Sequence, residues 1–549
     1  MEVHHPEAKD VVVIGGGHNG LVAAAYLARA GHKVTVLEAR SEVGGAASSD
    51  KETFPGFTLS TASYLNSLFL PEIVRDFDLK RFGYEVLKRD PSSFTPLPDG
   101  RSLLMGPDME FNQRQIAQFS EADARAYPKY EHELGEIADW MGKLMTMTPP
   151  NVPPRSFHDV ANAWRALRHF FTLTPRQMRR LAKLLLSDPV KYLDEWFESD
   201  ILKATLLTDA MIGAVDLKGY VLLHHVMGEA GGARGVWGYM RGGMGGISNA
   251  LRLACEELGV KIVTKATVDR IDTNEAGEVT AVLAKVWKYG IDLNKCVFKA
   301  DIAVSAVSPL RTFKELLCFE PRVQRIAQKL SKKSYESASM KINCTLNGLP
   351  DFRAMPGTAP GPQHQGTIHI APTVAYIVLA QQMFERGEFP TKPILELTIP
   401  SVLDSTLAPV GQHVMNIFLQ FYPYESGIKG RPEAFFVSSV LPLLREYISN
   451  IDEILGGVQV LAPQDIEREF GMEGGNIFHG GMDLSQLFAL RPMRGMADYR
   501  TPIRGLYLAS AGTHPGGGVT GACGYNAARE ILLDVKEEQE NLSQCFFPC

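Results

Sequence analysis

Residues 10–45 read DVVVIGGGHNGLVAAAYLARAGHKVTVLEARSEVGG, and this stretch decides the fold. Its first five residues are a mostly apolar, β-branched run that suits a parallel strand buried on both faces. Gly15, Gly17 and Gly20 follow in Gly-x-Gly-x-x-Gly spacing, then the Ala-rich LVAAAYLARA, Gly31 as a helix stop and a second strand, VTVLEA. The spacing alone is a weak signal, but a complete strand–turn–helix–strand unit around it is a strong one. In such a unit Gly15 permits the tight turn, Gly17 lets the backbone approach a pyrophosphate, and Gly20 allows close helix–strand packing. The helix N-terminus, with its partial positive charge, then faces the phosphates.

Glu38 ends the second strand, where a carboxylate accepts hydrogen bonds from adenosine ribose hydroxyls and disfavours a 2′-phosphate. That leaves FAD or NAD. Gly44-Gly45 follows, and two adjacent glycines let backbone run along a cofactor in a way a plain NAD domain does not need. This passage resembles the second signature of FAD enzymes in the amine oxidase and phytoene desaturase superfamily, in which the Gly-Gly pair often precedes a pyrophosphate-binding Arg. Ala46 stands in that Arg's place, and Arg40 is a candidate substitute or else a solvated side chain.

The other end of the chain carries a second glycine loop. Residues 505–511, GLYLASA, read as a strand, followed by Gly512-Thr513-His514-Pro515 and by Gly516, Gly518 and Gly521, then a helix over 521–532. The chain ends before a second nucleotide fold could be completed, so the loop is expected to return to the same cofactor with its helix N-terminus aimed at the flavin. LYLASAGTHPGGGVTGACGYNAA (506–528) closely resembles the C-terminal FAD motif of bacterial-type phytoene desaturases, the carotenoid oxidoreductase family. Both ends of the chain then belong to one FAD site.

Between them, a GGMGG turn at 242–246 and the helix ISNALRLACEELG lead into VKIVTKATVDRI, which alternates as a strand. The family resemblance implies that this is the third parallel strand and that Val268 meets the adenine. Residues 274–286 read as a hairpin turning near Gly277, ADIAVSAV (300–307) as a buried strand, and Ser308-Pro309 as a helix cap and start. The runs SASMKINCTL (337–346), AYIVLA (375–380) and VMNIFLQFY (414–422) suit an antiparallel sheet. The expected architecture is two-domain α/β. A discontinuous Rossmann-type FAD domain spans 1–105, 228–310 and 481–549; a substrate domain of antiparallel sheet with a helical cap spans 106–227 and 311–480.

Composition narrows the partners. The 549 residues carry 56 Lys+Arg against 62 Asp+Glu, a net charge of −6, which gives no electrostatic reason to expect nucleic acid. Seven scattered cysteines form no CxxC pair, so neither a redox dithiol nor a zinc ribbon is expected, and no metal site is. The scattered cysteines suit an intracellular reducing compartment, and the N-terminus MEVHHPEAKD shows neither presequence nor apolar signal core, with the cytoplasm as the alternative location. The strings YVLLHHVMG (220–228) and GGMGG instead resemble an animal branch of the family and imply the mitochondrial matrix. Residues 160–187 contain six Lys/Arg, no acid, and apolar Trp164, Leu167, Phe170, Phe171, Leu181 and Leu185. They suit either an anionic membrane surface or, as the preferred reading, helices whose apolar faces pack on the cap.

FAD without a dithiol or metal implies hydride transfer at the flavin N5, with the protein supplying position and electrostatics. The resemblance implies a hydrophobic, polyene- or lipid-like substrate, with O2, a quinone or a protein as electron acceptor. The alternatives are a flavin-containing regulatory scaffold and a polyene isomerase. Candidate catalytic side chains are His514, in the loop expected beside the flavin, and Lys341, in an alternating strand like the flavin-proximal Lys of amine oxidases. His224 and His225 are further histidines to place.

Overall fold

The structure, a computed structural model, describes residues 8–215, 217, 219–230, 233–234, 237–288, 291–424 and 431–546. Strand Asp10–Ile14 sits at the centre of a five-stranded parallel sheet, flanked by Lys33–Leu37 and Ile302–Ser305, with Lys261–Val263 and Leu506–Leu508 at the edges. Its inner residues Val11 to Ile14 are buried, as expected of a strand covered on both faces. The helix His18–Arg29 packs on this sheet beside the C-terminal helix Ala522–Phe546, so the two ends of the chain share one core. Gly524 N approaches Asn19 Oδ1 at 3.5 Å, and a Cβ on Gly524 would strike the Asn19 carbonyl.

A seven-stranded sheet forms the second unit. Its order is Leu455–Leu461, Ser339–Leu346, His413–Gln420, Ile394–Thr398, Thr367–Ile370, Ser93–Pro96 and Ser102–Met105. Neighbours run antiparallel except at the parallel junction of Thr367–Ile370 with Ser93–Pro96. Helices Met109–Ala117, Glu121–Leu144, Asp200–Thr208 and Gly219–Val226 form a layer with its own apolar core beside it.

Four sequence expectations need correction. The run AYIVLA is helical, within Val374–Glu385, because Thr373 accepts a hydrogen bond from Tyr376 N as a cap and the run continues into the helix formers Leu379 to Met383. VKIVTKATVDRI is not one strand. Lys265, at φ +52°, breaks it into Lys261–Val263 in the parallel sheet and Ala266–Thr273 in a separate three-stranded antiparallel sheet, so Val268 is not on the third parallel strand. The domain division at 105 falls too late, since strands Ser93–Pro96 and Ser102–Met105 hydrogen-bond into the seven-stranded sheet. The division at 310 falls too early: Phe313, Leu316, Val323 and Leu330 pack with Val12, Ile14 and Ala303 beneath the parallel sheet.

Candidate active site: one cavity from the glycine turn to a polar chamber

The two N-terminal glycine signatures touch. Gly44 N donates to Gly16 O at 2.8 Å, and Gly17 pairs with Gly44 as an isolated parallel bridge. Gly20 has no room for a side chain, since a Cβ there would collide with the Gly15 carbonyl, whereas a Cβ on Gly17 would meet nothing within 4 Å. The helix packs tightly where the motif requires it and leaves open space where a ligand would lie. Glu38 is buried beside this turn, its Oε2 accepting from Gly16 N at 2.7 Å and its Oε1 from Arg40 N at 2.9 Å. Burial raises its pKa, and the two backbone donors oppose the shift. The Lys265 turn wraps the same segment, Ala266 N donating to Glu38 O at 2.8 Å.

A cavity of about 950 Å³ opens from this turn. Of the expected cofactor residues, Gly15, Gly17, Gly20, Glu38, Gly44, Gly45, Val268 and Gly518 line it, as do Ala46 and Arg40. Gly512 and Gly521 stand behind the wall, packed on Pro309 and on Phe69 and Ile73 respectively. Arg40 is not a solvated side chain: its Nη1 donates to Gly45 O at 3.3 Å and Ser48 Oγ at 3.1 Å, and its guanidinium lies 4.8 Å from the Phe470 ring centre. The C-terminal helix starts at Ala522, whose N–H Thr520 Oγ1 caps at 3.0 Å.

Among the described residues, the buried His18 Nε2, His479 Nδ1 and Glu473 Oε2 on the cavity wall are without a hydrogen-bond partner, as are Ser67 Oγ, Ser93 Oγ and Tyr130 OH of other lining residues. Burial holds His18 and His479 neutral, with pKa values lowered to about 4. Unsatisfied buried polar atoms in a cavity are what a polar ligand would complete. With the open space over Gly17 and the buried Glu38, they fit the pyrophosphate, ribose and ring system of FAD.

The cavity continues past Tyr64 and Phe418 into a chamber between the seven-stranded sheet and the helical layer. Leu134, Leu206, Ile212, Leu222 and Val226 give it apolar walls. Asp209, Glu131, Glu396, His369 and Arg89 also face it. Tyr64 OH donates to Glu396 Oε2 at 2.9 Å, while His369 Nδ1 lies 3.5 Å from Glu396 Oε1 and 3.2 Å from Thr208 Oγ1. Arg89 is held by Thr367 Oγ1 at 2.7 Å and Trp237 O at 3.0 Å. The Asp209 carboxylate has no hydrogen-bond partner among the described residues. Burial pushes its pKa from 3.8 up to about 7, the Glu396 charge adds to the shift, Arg89 opposes it and Glu131 adds again. Burial likewise raises Glu131, against a hydrogen bond from Tyr127.

Neither expected catalytic side chain lines this cavity. His514 is buried, its Nε2 bonded to Leu144 O at 2.8 Å, and burial lowers its pKa to about 4, so it is neutral at physiological pH and ties the loop to the long helix Glu121–Leu144. Lys341 lies one layer behind the wall, 5.7 Å from the centre of the Tyr64 ring. Its Nζ donates to Asn343 Oδ1 and to Asn416 Oδ1, and burial lowers its pKa to about 7. His224 and His225 fall on helix Gly219–Val226, but their side chains lie outside the described residues. Sequence reasoning missed Asp209, Glu131, Glu396 and His369. The available signals were a lone acid within the apolar run LLTDAMIGA (206–214) and another within the wholly buried strand ILELT. Among the described residues no group of His, Cys, Asp or Glu could hold a metal ion.

Comparison with known proteins agrees with this geometry. The family model described as flavin containing amine oxidoreductase matches residues 20–344. The chain is 41% identical over 559 residues to pyridine nucleotide-disulfide oxidoreductase domain-containing protein 2 of Rattus norvegicus, covering 96% of this chain and 94% of the relative. It is 25% identical to a lycopene-forming phytoene desaturase of a Paracoccus strain, over 97% of this chain and 99% of that protein. Among solved structures, putrescine oxidase bound to putrescine superposes with a TM-score of 0.60 at 15% identity, covering 96% of this chain and 99% of that one, a likeness of fold. The chain belongs to the flavin-containing amine oxidoreductase family, and its cofactor is FAD.

Proposed function

We propose that this protein is an FAD-dependent oxidoreductase that removes hydrogen from a largely apolar small molecule bearing one polar end. The observation that carries the reading is the single cavity joining the Gly15–Gly20 turn to a chamber with apolar walls and a charged cluster. FAD, when bound, supplies a two-electron acceptor at N5 of its ring. The chain's own contribution is position and proton handling. Leu134, Leu206, Ile212, Leu222 and Val226 would hold the apolar body and exclude water. Glu396, oriented by Tyr64 and paired with His369, would fix the polar end. Asp209, with no hydrogen-bond partner among the described residues and a pKa of about 7, is suited to take the proton that leaves the substrate while the C–H electron pair goes to the cofactor. The two electrons then pass to O2, a quinone or a protein.

The test is an anaerobic titration of the purified yellow protein with terpenes, polyenes, acyl lipids and apolar amines. At least one class should bleach the flavin absorbance, and admitting an acceptor should restore it. If every class leaves the flavin oxidised, the oxidoreductase reading fails and a flavin-bearing scaffold replaces it.

A further inference from the structure

The helix Phe157–Phe170 is mounted inside out. Phe157, Val160, Trp164, Leu167 and the following Phe171 recur at intervals of three and four residues, so they form one stripe along the helix. In an ordinary cap helix that stripe would face the core. Here Phe157 is 95% exposed, Trp164 67% and Phe171 69%, while the buried residues are the polar Asp159 and Asn162. The inner face is held by polar and stacking contacts instead. Asp159 accepts from Asn151 N and Arg155 N, and His169 stacks on Trp140 at 4.8 Å and 5°. Trp140 Nε1 donates to His169 O at 3.1 Å. The packed-cap reading of 160–187 is therefore not what the structure shows for this face.

Beside the stripe stand exposed cations. Arg168 flanks Trp164 around the helix, Arg165 lies further round, and Arg179 extends from the neighbouring helix Pro175–Leu186. None of the three has a carboxylate partner among the described residues. Two other arginines of helix Pro175–Leu186 pair with Glu133 of helix Glu121–Leu144: Arg180, which is mostly covered, and Arg176, which stays exposed. An aromatic stripe rimmed by arginines that have no carboxylate partner among the described residues, with no acid between residues 160 and 187, matches an anionic phospholipid surface in both apolar and charged character. Among the described residues no helix is long and apolar enough to cross a membrane, so the contact is with the surface.

We infer that the face formed by Phe157, Trp164, Phe171, Arg168 and Arg179 docks the protein peripherally on an anionic phospholipid membrane. This goes beyond the proposed oxidoreductase role and does not depend on the substrate. The full-length flavin-loaded protein is tested by co-flotation with phosphatidylcholine vesicles with or without phosphatidylglycerol. Binding should require the anionic lipid and weaken as salt rises. The Phe157→Ser/Trp164→Ser/Phe171→Ser variant should lose it, and Arg168→Gln and Arg179→Gln should each lower the partition about fivefold. These side chains are exposed, so the variants should keep their flavin absorbance and unfolding temperature; if the triple variant does not, the arginine variants and the vesicle-induced blue shift of Trp164 emission decide. The inference is overturned if wild type ignores anionic vesicles, if the variants bind as well as wild type, or if sedimentation reveals a dimer that the stripe variant abolishes.

Discussion

The amide of Gly16 donates to the Glu38 carboxylate across 2.7 Å, so the turn that faces the phosphates and the residue expected to hold the ribose are one hydrogen-bonded unit. Removing that carboxylate both frees a buried N–H and deletes an acceptor for the ribose. Glu38→Ala should weaken FAD binding about tenfold to a hundredfold, as expected for hydrogen bonds to a charged group, measured by equilibrium dialysis of the apoprotein against FAD.

The neighbouring glycines should fail in opposite ways. Gly17→Val adds bulk only to open space, so the chain should fold with a near-native circular dichroism spectrum yet stay colourless. Gly20→Val drives a side chain into the Gly15 carbonyl and the Ala306 side chain, and should destabilise the fold by at least the 1–3 kcal/mol of typical overpacking, about that much in chemical denaturation. Equal loss of fold in both variants would contradict the assignment of Gly17 to ligand space.

Asp209 should impose a pH dependence on stability. Its folded pKa of about 7 lies above the ordinary 3.8, so the folded protein keeps a proton that the unfolded chain loses between these values. Stability falls as pH rises through that window and then stays flat. Asp209→Asn should therefore match wild type near pH 4 and exceed it near pH 8, by about 1–4 kcal/mol in urea unfolding.

Lys341 titrates in the opposite sense. Its folded pKa of about 7 lies below the ordinary 10.5, so the unfolded chain binds an extra proton between these values and wild-type stability falls as pH drops from 10 to 7. Lys341→Met should remove that slope, read as thermal unfolding profiles that diverge from wild type across this window. Because Lys341 stands behind Tyr64 and off the cavity wall, the variant should retain its flavin spectrum.

How much of the site could be read in advance follows from how local its physics is. The Gly15–Gly20 turn, Glu38 and the Gly44-Gly45 pair are encoded within 31 consecutive residues, because the backbone path and its ligand contacts are set by neighbours in the chain. Lys265 defeated strand periodicity since a single residue at positive φ sends two halves of one alternating run into different sheets. Asp209, Glu131 and Glu396 come from a helix end, the long helix Glu121–Leu144 and the strand Ile394–Thr398, which meet only through non-local packing. No spacing rule connects such positions. The stripe from Phe157 to Phe171 was legible as amphipathic, but which way it faces depends on Trp140 and Asn151, residues outside it.

The contact of Asn19 with Gly524 also has a consequence for biosynthesis. The first half of the site leaves the ribosome 505 residues before the second. At roughly 5–20 residues per second, the glycine turn waits about half a minute to a minute and a half for the helix that closes over it. A product truncated before residue 512 lacks the wall that Gly518 and Val519 supply, and should hold FAD more weakly than the whole chain.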